Sequence, residues 1–269
     1  MILDGHVHVQ PGAPDAESLL SRMRDAGVSG GILISLPPRC FTRSAASATE
    51  RLENVAAWCC QGELYPFFWI DPTEQDAPAQ VAMCVELGVA GFKVIPGRHE
   101  PCCSEAMRTY AAIAESARPI LFHSGILWDG QPSSSHCRPA SYEGLLEVPG
   151  LRFALAHVAW PWCDELIAVY GKFAMARRQR PELDVEMFID VTPGTPPIYR
   201  REVLTKLFTV GYDVARNVIF GTDCNAVTYR AEWAREWIER DSAIYGDLGL
   251  GADVQDAVFA GNLRRFVDG

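Results

Sequence analysis

The chain has 269 residues, 48% hydrophobic and 22% charged, with a formal net charge of −10. That length suits one closed α/β barrel, which takes roughly 250 residues, and the apolar content excludes a disordered chain. The acidic balance argues against a nucleic-acid partner, because phosphate binding needs a face rich in Lys and Arg, and no run approaches the roughly 20 apolar residues of a membrane helix.

In chain order, apolar, β-branched or aromatic runs predict strands at 2–8, 31–36, 64–70, 91–95, 119–123, 151–157, 187–191 and 217–223. Segments of helical period lie between them at 16–26, 46–61, 77–87, 104–116, 142–146, 164–178, 198–210 and 230–245, the fifth being short. A last segment, 254–266, is expected to be an extra terminal helix that closes the ring. Strand starts recur about every 30 residues, as when each strand is followed by one crossover helix. Eight such units predict an α/β fold of one (β/α)8 TIM-barrel domain spanning 1–269. The run 128–139, with Gly130, Pro132 and three serines, follows the fifth strand and reads as a long loop on the active face.

The nine cysteines are odd in number, include the adjacent pairs Cys59-Cys60 and Cys102-Cys103, and contain no CxxC spacing. Reduced thiols and no structural zinc site follow. The opening Met1-Ile2-Leu3-Asp4 lacks the signal-peptide pattern, so a cytoplasmic location is expected.

Four histidines fall at the C-terminal ends of predicted strands: His6 and His8 on the first, His123 on the fifth and His157 on the sixth. In a closed barrel those ends converge on one rim. Residues two apart on a strand share a face, so Asp4, His6 and His8 can point inward together, with His6 and His8 offering two imidazoles to one ion. His123 and Asp223 are polar residues that end apolar strands, and burying them is costly unless they are paired or ligated. Each by itself could instead cap the next helix; four on one rim point to a site.

The pattern Asp4-Gly5-His6-Val7-His8, with His123, His157 and Gly221-Thr222-Asp223 in order, resembles the amidohydrolase superfamily over nearly the whole chain. The closer likeness is to its amidohydrolase-related branch, which includes hydrolases of lactones and amides and nonoxidative decarboxylases; the ending Phe259–Phe266 also looks like that branch's. The resemblance implies that His6, His8, His123 and Asp223 bind a divalent metal, that Asp223 also accepts a proton, and that His157 is a ligand or a polarising base. Zinc suits these donors best, with manganese or iron accepted. Some members carboxylate a fourth-strand lysine to bridge two metals, which would make the site binuclear through Lys93. The alternative is a lysine that neutralises a substrate carboxylate or pairs with an acid.

Among loop residues, Arg138 is the first choice for a substrate contact, because its loop follows the strand carrying His123; Arg39, Arg98, His99 and His136 read as solvated. Trp128, Trp160 and Trp162 could wall the pocket. Asp190, Thr192 and Asn225 are rim groups able to orient ligands. The expected activity is hydrolysis of a small amide, ester or lactone, carboxylate-bearing or cyclic, by metal-activated water. The alternatives are a metal-dependent nonoxidative decarboxylase and, more remotely, a non-catalytic metal-binding barrel. The only partner implied is a small-molecule substrate, and a homo-oligomer stays open.

Overall fold

The computed structural model describes residues 1–10, 13–40 and 47–269. Seven of the apolar runs form strands β1 (Ile2–His8), β2 (Val28–Ile34), β3 (Glu63–Trp69), β4 (Gly91–Val94), β5 (Ile120–Phe122), β6 (Arg152–Leu155) and β7 (Glu186–Asp190). Of the eighth run, 217–223, only β8 (Val218–Ile219) is a strand, and a further strand, β9 (Cys224–Asn225), follows just beyond it. Every pairing is parallel, in the order β8-β7-β6-β5-β4-β3-β2-β1-β9. Such strands are buried on both faces, which is why they read as continuous apolar runs.

The segment from β8 to β9 closes the sheet. β8 pairs with β7, and the chain then crosses to β1, where Gly5 N donates to Phe220 O (2.8 Å), Asp223 N to His6 O (2.9 Å) and Ala226 N to His8 O (2.8 Å). One short segment bonds to both edges of the sheet, and the fold is a (β/α)8 barrel. Close approach here requires glycine: a Cβ on Gly221 would lie 2.2 Å from Thr192 Oγ1 and 3.0 Å from His6 Cβ. The buried Asp4 carboxylate fastens the same seam by accepting from His6 N, Thr222 N, Thr222 Oγ1 and Tyr229 OH. Burial pushes its carboxyl up to about 7 against the pull of those four donors.

Helices α1 (Ala16–Asp25), α2 (Ala48–Trp58), α3 (Ala77–Glu86), α4 (Ser104–Glu115), α5 (Cys163–Gln179) and α6 (Pro197–Thr209) lie between strands, and α7 (Ala231–Asp247) follows β9. Asp15 caps α1 by accepting from Ser18 N, and Ser47 with Glu50 forms a capping box on α2. The predicted first residue of α2, Ala46, lies outside the described residues. Between β5 and β6 the short predicted helix is a 3-10 helix, Pro139–Glu147.

The terminal segment departs from expectation. It forms α8 (Ala252–Asp256), a π-helical turn (Ala257–Gly261) and α9 (Asn262–Asp268), and it plugs the N-terminal mouth of the barrel instead of completing the outer ring. Phe266 packs on Phe67 and Phe188 inside the barrel, while Arg264 pairs with Glu63 and Arg265 with Glu186, at the starts of β3 and β7. Leu263, Phe266 and Val267 join Leu3, Leu121 and Ile219 in one inner apolar cluster. With that end sealed, the C-terminal ends of the strands are where the barrel opens. Among the described residues no helix is long and apolar enough to cross a membrane.

Candidate functional site

β1 brings His6 and His8 to the open end, and the crossing segment brings Asp223. One ligand atom from each of the three lies within 4.8 Å of the others. Asp223 Oδ1 stands 3.3 Å from His8 Nε2 and 3.8 Å from His6 Nε2, and the Asp223 side chain is 40% exposed. The second nitrogen of His6 is engaged, with Nδ1 2.7 Å from Asp190 Oδ2. Asp190 is itself fixed by Thr192 N, which donates to its Oδ1. This bond fixes the ring and turns Nε2 toward Asp223.

His157 and His123 extend the cluster. The His157 ring is 5.1 Å from that of His6 and 5.0 Å from that of His123. The His157 Nδ1 is buried without a hydrogen-bond partner among the described residues. His123, expected as a ligand, is not among the three side chains whose donor atoms gather; its Nε2 sits 3.3 Å from Ile126 O. Lys93 is buried beneath, with Nζ 3.4 Å from His6 Nε2.

Electrostatics prepares these groups differently. Burial lowers the pKa of His6 well below its ordinary value, reinforced by the Lys93 cation; it does the same to His123, reinforced by His157 and Lys93. Burial also lowers His157, against the opposing pull of Asp223 and Asp190. Burial pushes Lys93 down to about 8, although Asp190 and Asp223 favour its charge. Burial raises the Asp223 carboxyl, but the His8 hydrogen bond and the neighbouring imidazoles outweigh it and hold the group below the usual carboxylate range. Near neutrality, then, the imidazoles of His6, His123 and His157 keep free lone pairs and Asp223 is ionised. Neutral imidazoles beside an ionised carboxylate are the donor set a divalent cation needs, so the residues fit one.

The backbone is strained at both ends of this cluster. His157 (φ 60°), Val158 (φ 43°) and Ala159 (φ 51°) are three successive left-handed residues, and Asp223 (φ 59°) is a fourth. Each such non-glycine residue costs about 1–2 kcal/mol. The distortion ends β6 at Leu155 and β8 at Ile219, where the apolar pattern alone extends both runs to the site residue.

His6, His8, Lys93, His123, His157 and Asp223 line one cavity of about 460 Å3, with Trp128 on its wall. A smaller hollow of about 170 Å3, bounded by His123, His157, Trp160 and Asp223, adjoins it. Trp128 is 81% exposed, on the loop after β5. Arg138 lies elsewhere: it pairs with Glu165 of α5 at 2.5 Å and stacks over Trp162, so its guanidinium is already engaged. His136 likewise pairs with Glu100. Asp129, not among the residues singled out from the sequence, lines the main cavity; its place in the long loop after β5 is the one signal for it. Arg39, read as solvated, lines that cavity too.

A sequence profile described as Amidohydrolase matches residues 4–269. The chain belongs to the amidohydrolase family. Membership makes it an enzyme, and solved structures share the fold of this amidohydrolase. Dihydroorotase from Campylobacter jejuni is 15% identical, with a TM-score of 0.62 over 100% of this chain and 83% of that one. 2,6-Dihydroxybenzoate decarboxylase from Rhizobium is 14% identical, with a TM-score of 0.62 over 99% and 100%. 4-Oxalomesaconate hydratase from Rhodopseudomonas palustris is 15% identical, with a TM-score of 0.62 over 99% and 95%. At such identities the likeness concerns the fold alone. No curated protein sequence matches the chain.

Proposed function

We propose that this amidohydrolase is a metal-dependent hydrolase of a small, carboxylate-bearing amide, ester or lactone. The observation that carries the reading is a partly exposed Asp223 carboxylate within 3.8 Å of both His6 Nε2 and His8 Nε2, at the wall of a cavity of small-molecule size. His6, His8 and Asp223 would hold the cation, with His123 on the wall of the same cavity as a further donor. The cation, zinc before manganese or iron, supplies Lewis-acid activation of water and of a carbonyl near neutral pH.

The protein's own groups do the rest. Asp223 takes the proton from the attacking water and returns it to the leaving group. His157, neutral and with an unpartnered Nδ1, donates to the carbonyl oxygen as negative charge builds there. Trp128 and Trp160 wall the substrate. Lys93, whose ammonium is buried at His6, balances negative charge in this form of the site; carboxylation of its amine would instead add a second ion.

Asp190 positions His6, so Asp190→Asn is expected to weaken metal binding by roughly 10- to 100-fold, measured by competition with a chelating indicator. Unchanged affinity would show that the 2.7 Å contact has no such role. The activity is tested by a panel of esters, lactones, amides and carboxylic acids, before and after chelator treatment. Chelator-sensitive hydrolysis supports the reading. Release of carbon dioxide from an acid, with no hydrolysis, would replace it with decarboxylation.

A further inference from the structure

A second chamber of about 670 Å3 opens beside the metal-ligand cavity and shares Arg39, Ile95, Leu127 and Asp129 with it. Its basic groups come from two loops at the open end of the barrel. Arg39 stands on the one-turn helix Pro38–Cys40 after β2, and Arg98 and His99 follow β4. Neither arginine forms a hydrogen bond or a close ion pair with another described residue, whereas Arg138, Arg200, Arg264 and Arg265 each hold a carboxylate. The His99 Nε2 is buried with no hydrogen-bond partner among the described residues.

We propose that this chamber is a carboxylate subsite: the substrate is an elongated acid whose far carboxylate is gripped by Arg39 and Arg98, while its reacting carbonyl lies at His6, His8 and Asp223. The inference rests on the function proposed above and adds the charge and shape of the substrate. A guanidinium presents paired N–H donors that match a carboxylate, and these two, facing one hollow, have no carboxylate partner among the described residues. The buried His99 nitrogen adds a third polar contact.

The acids of the chamber set the size of the charge it takes. Asp71 Oδ1 accepts from Thr73 N and Oγ1, and Asp129 Oδ1 from Gln131 N and Ser133 Oγ, so each is turned partly to its own loop. Arg39 acts on Asp129 only at longer range. Two arginines against two aspartates leave the chamber near neutral, which suits a singly charged carboxylate better than a doubly charged phosphate. Ile95, Leu127 and Trp69 supply apolar wall for the connecting carbons.

The test is calorimetric titration of the protein as purified with succinate, glutarate and adipate, with butyrate and hexanoate as one-carboxylate controls and phenyl phosphate as the phosphate probe. At least one dicarboxylate is expected to bind roughly tenfold tighter than the monoacids, and R39Q or R98Q to remove most of that advantage. Metal content and melting temperature should stay unchanged in both variants. Dicarboxylates that bind no better than monoacids, variants that bind like wild type, or tighter binding of phenyl phosphate would each overturn the subsite. Binding is read without turnover, so the two readings fail separately. Arginine-dependent binding in a protein that hydrolyses nothing would keep the subsite and remove the hydrolase. Chelator-sensitive hydrolysis indifferent to both substitutions would do the reverse.

Discussion

Asp223→Asn lowers turnover by on the order of 10^3-fold at saturating metal, on whichever ester, lactone or amide wild-type protein hydrolyses. Asparagine keeps the size and one oxygen of the side chain but cannot accept a proton. The strained backbone at φ 59° tolerates it, because asparagine is among the few residues that enter the left-handed region readily. Fold and cavity should therefore survive while proton transfer is lost. Measuring kcat beside metal content separates this loss from simple loss of the ion. Wild-type turnover with metal bound would remove Asp223 as the proton acceptor and leave it only as a ligand.

Asp241→Ala destabilises the fold by about 3–5 kcal/mol. Arg200 of α6 and Asp241 of α7 are both fully buried and meet in a two-pronged pair, Nε to Oδ1 at 2.8 Å and Nη2 to Oδ2 at 2.6 Å. Burial disfavours the guanidinium charge, but the Asp241 charge and hydrogen bonds overcome this and hold Arg200 protonated. The remaining arm, Nη1, donates to Val191 O at 2.6 Å, next to the Asp190 that holds His6, and the guanidinium lies over Trp237. Removing Asp241 leaves a buried, uncompensated cation between two helices and the site. Urea unfolding checks this, with the double replacement R200M/D241L expected to recover most of the loss because it removes both charges. A single-variant loss below about 1 kcal/mol would show that water reaches Arg200.

The barrel was legible because parallel strands buried on both faces leave long apolar runs and because HxH on β1 marks its own face. What the runs could not show is where they stop. β6 and the eighth strand end early because His157 and Asp223 take left-handed backbone, a conformation imposed by packing around Gly221 and Gly194 rather than by local preference; a Cβ on Gly194 would lie 2.8 Å from the His157 Cβ. The sequence alone does not show that α9 is a plug, since Phe266 meets Phe67 and Phe188 only once the barrel is closed. Arg138 was misplaced for a similar reason: Glu165, its partner, is 27 residues away on α5. Asp190 was legible only as a polar strand end, and its hold on His6 spans 184 residues.

The proposed chemistry requires His6, His8 and Asp223 to gather one cation. Elemental analysis of protein purified without chelator tests this most directly, with the double variant His6→Ala, His8→Ala alongside. At least one equivalent of divalent metal is expected per wild-type chain and little or none in the variant, with zinc foremost. Wild-type protein that carries no metal and takes up none on dialysis against zinc, manganese or iron would contradict it.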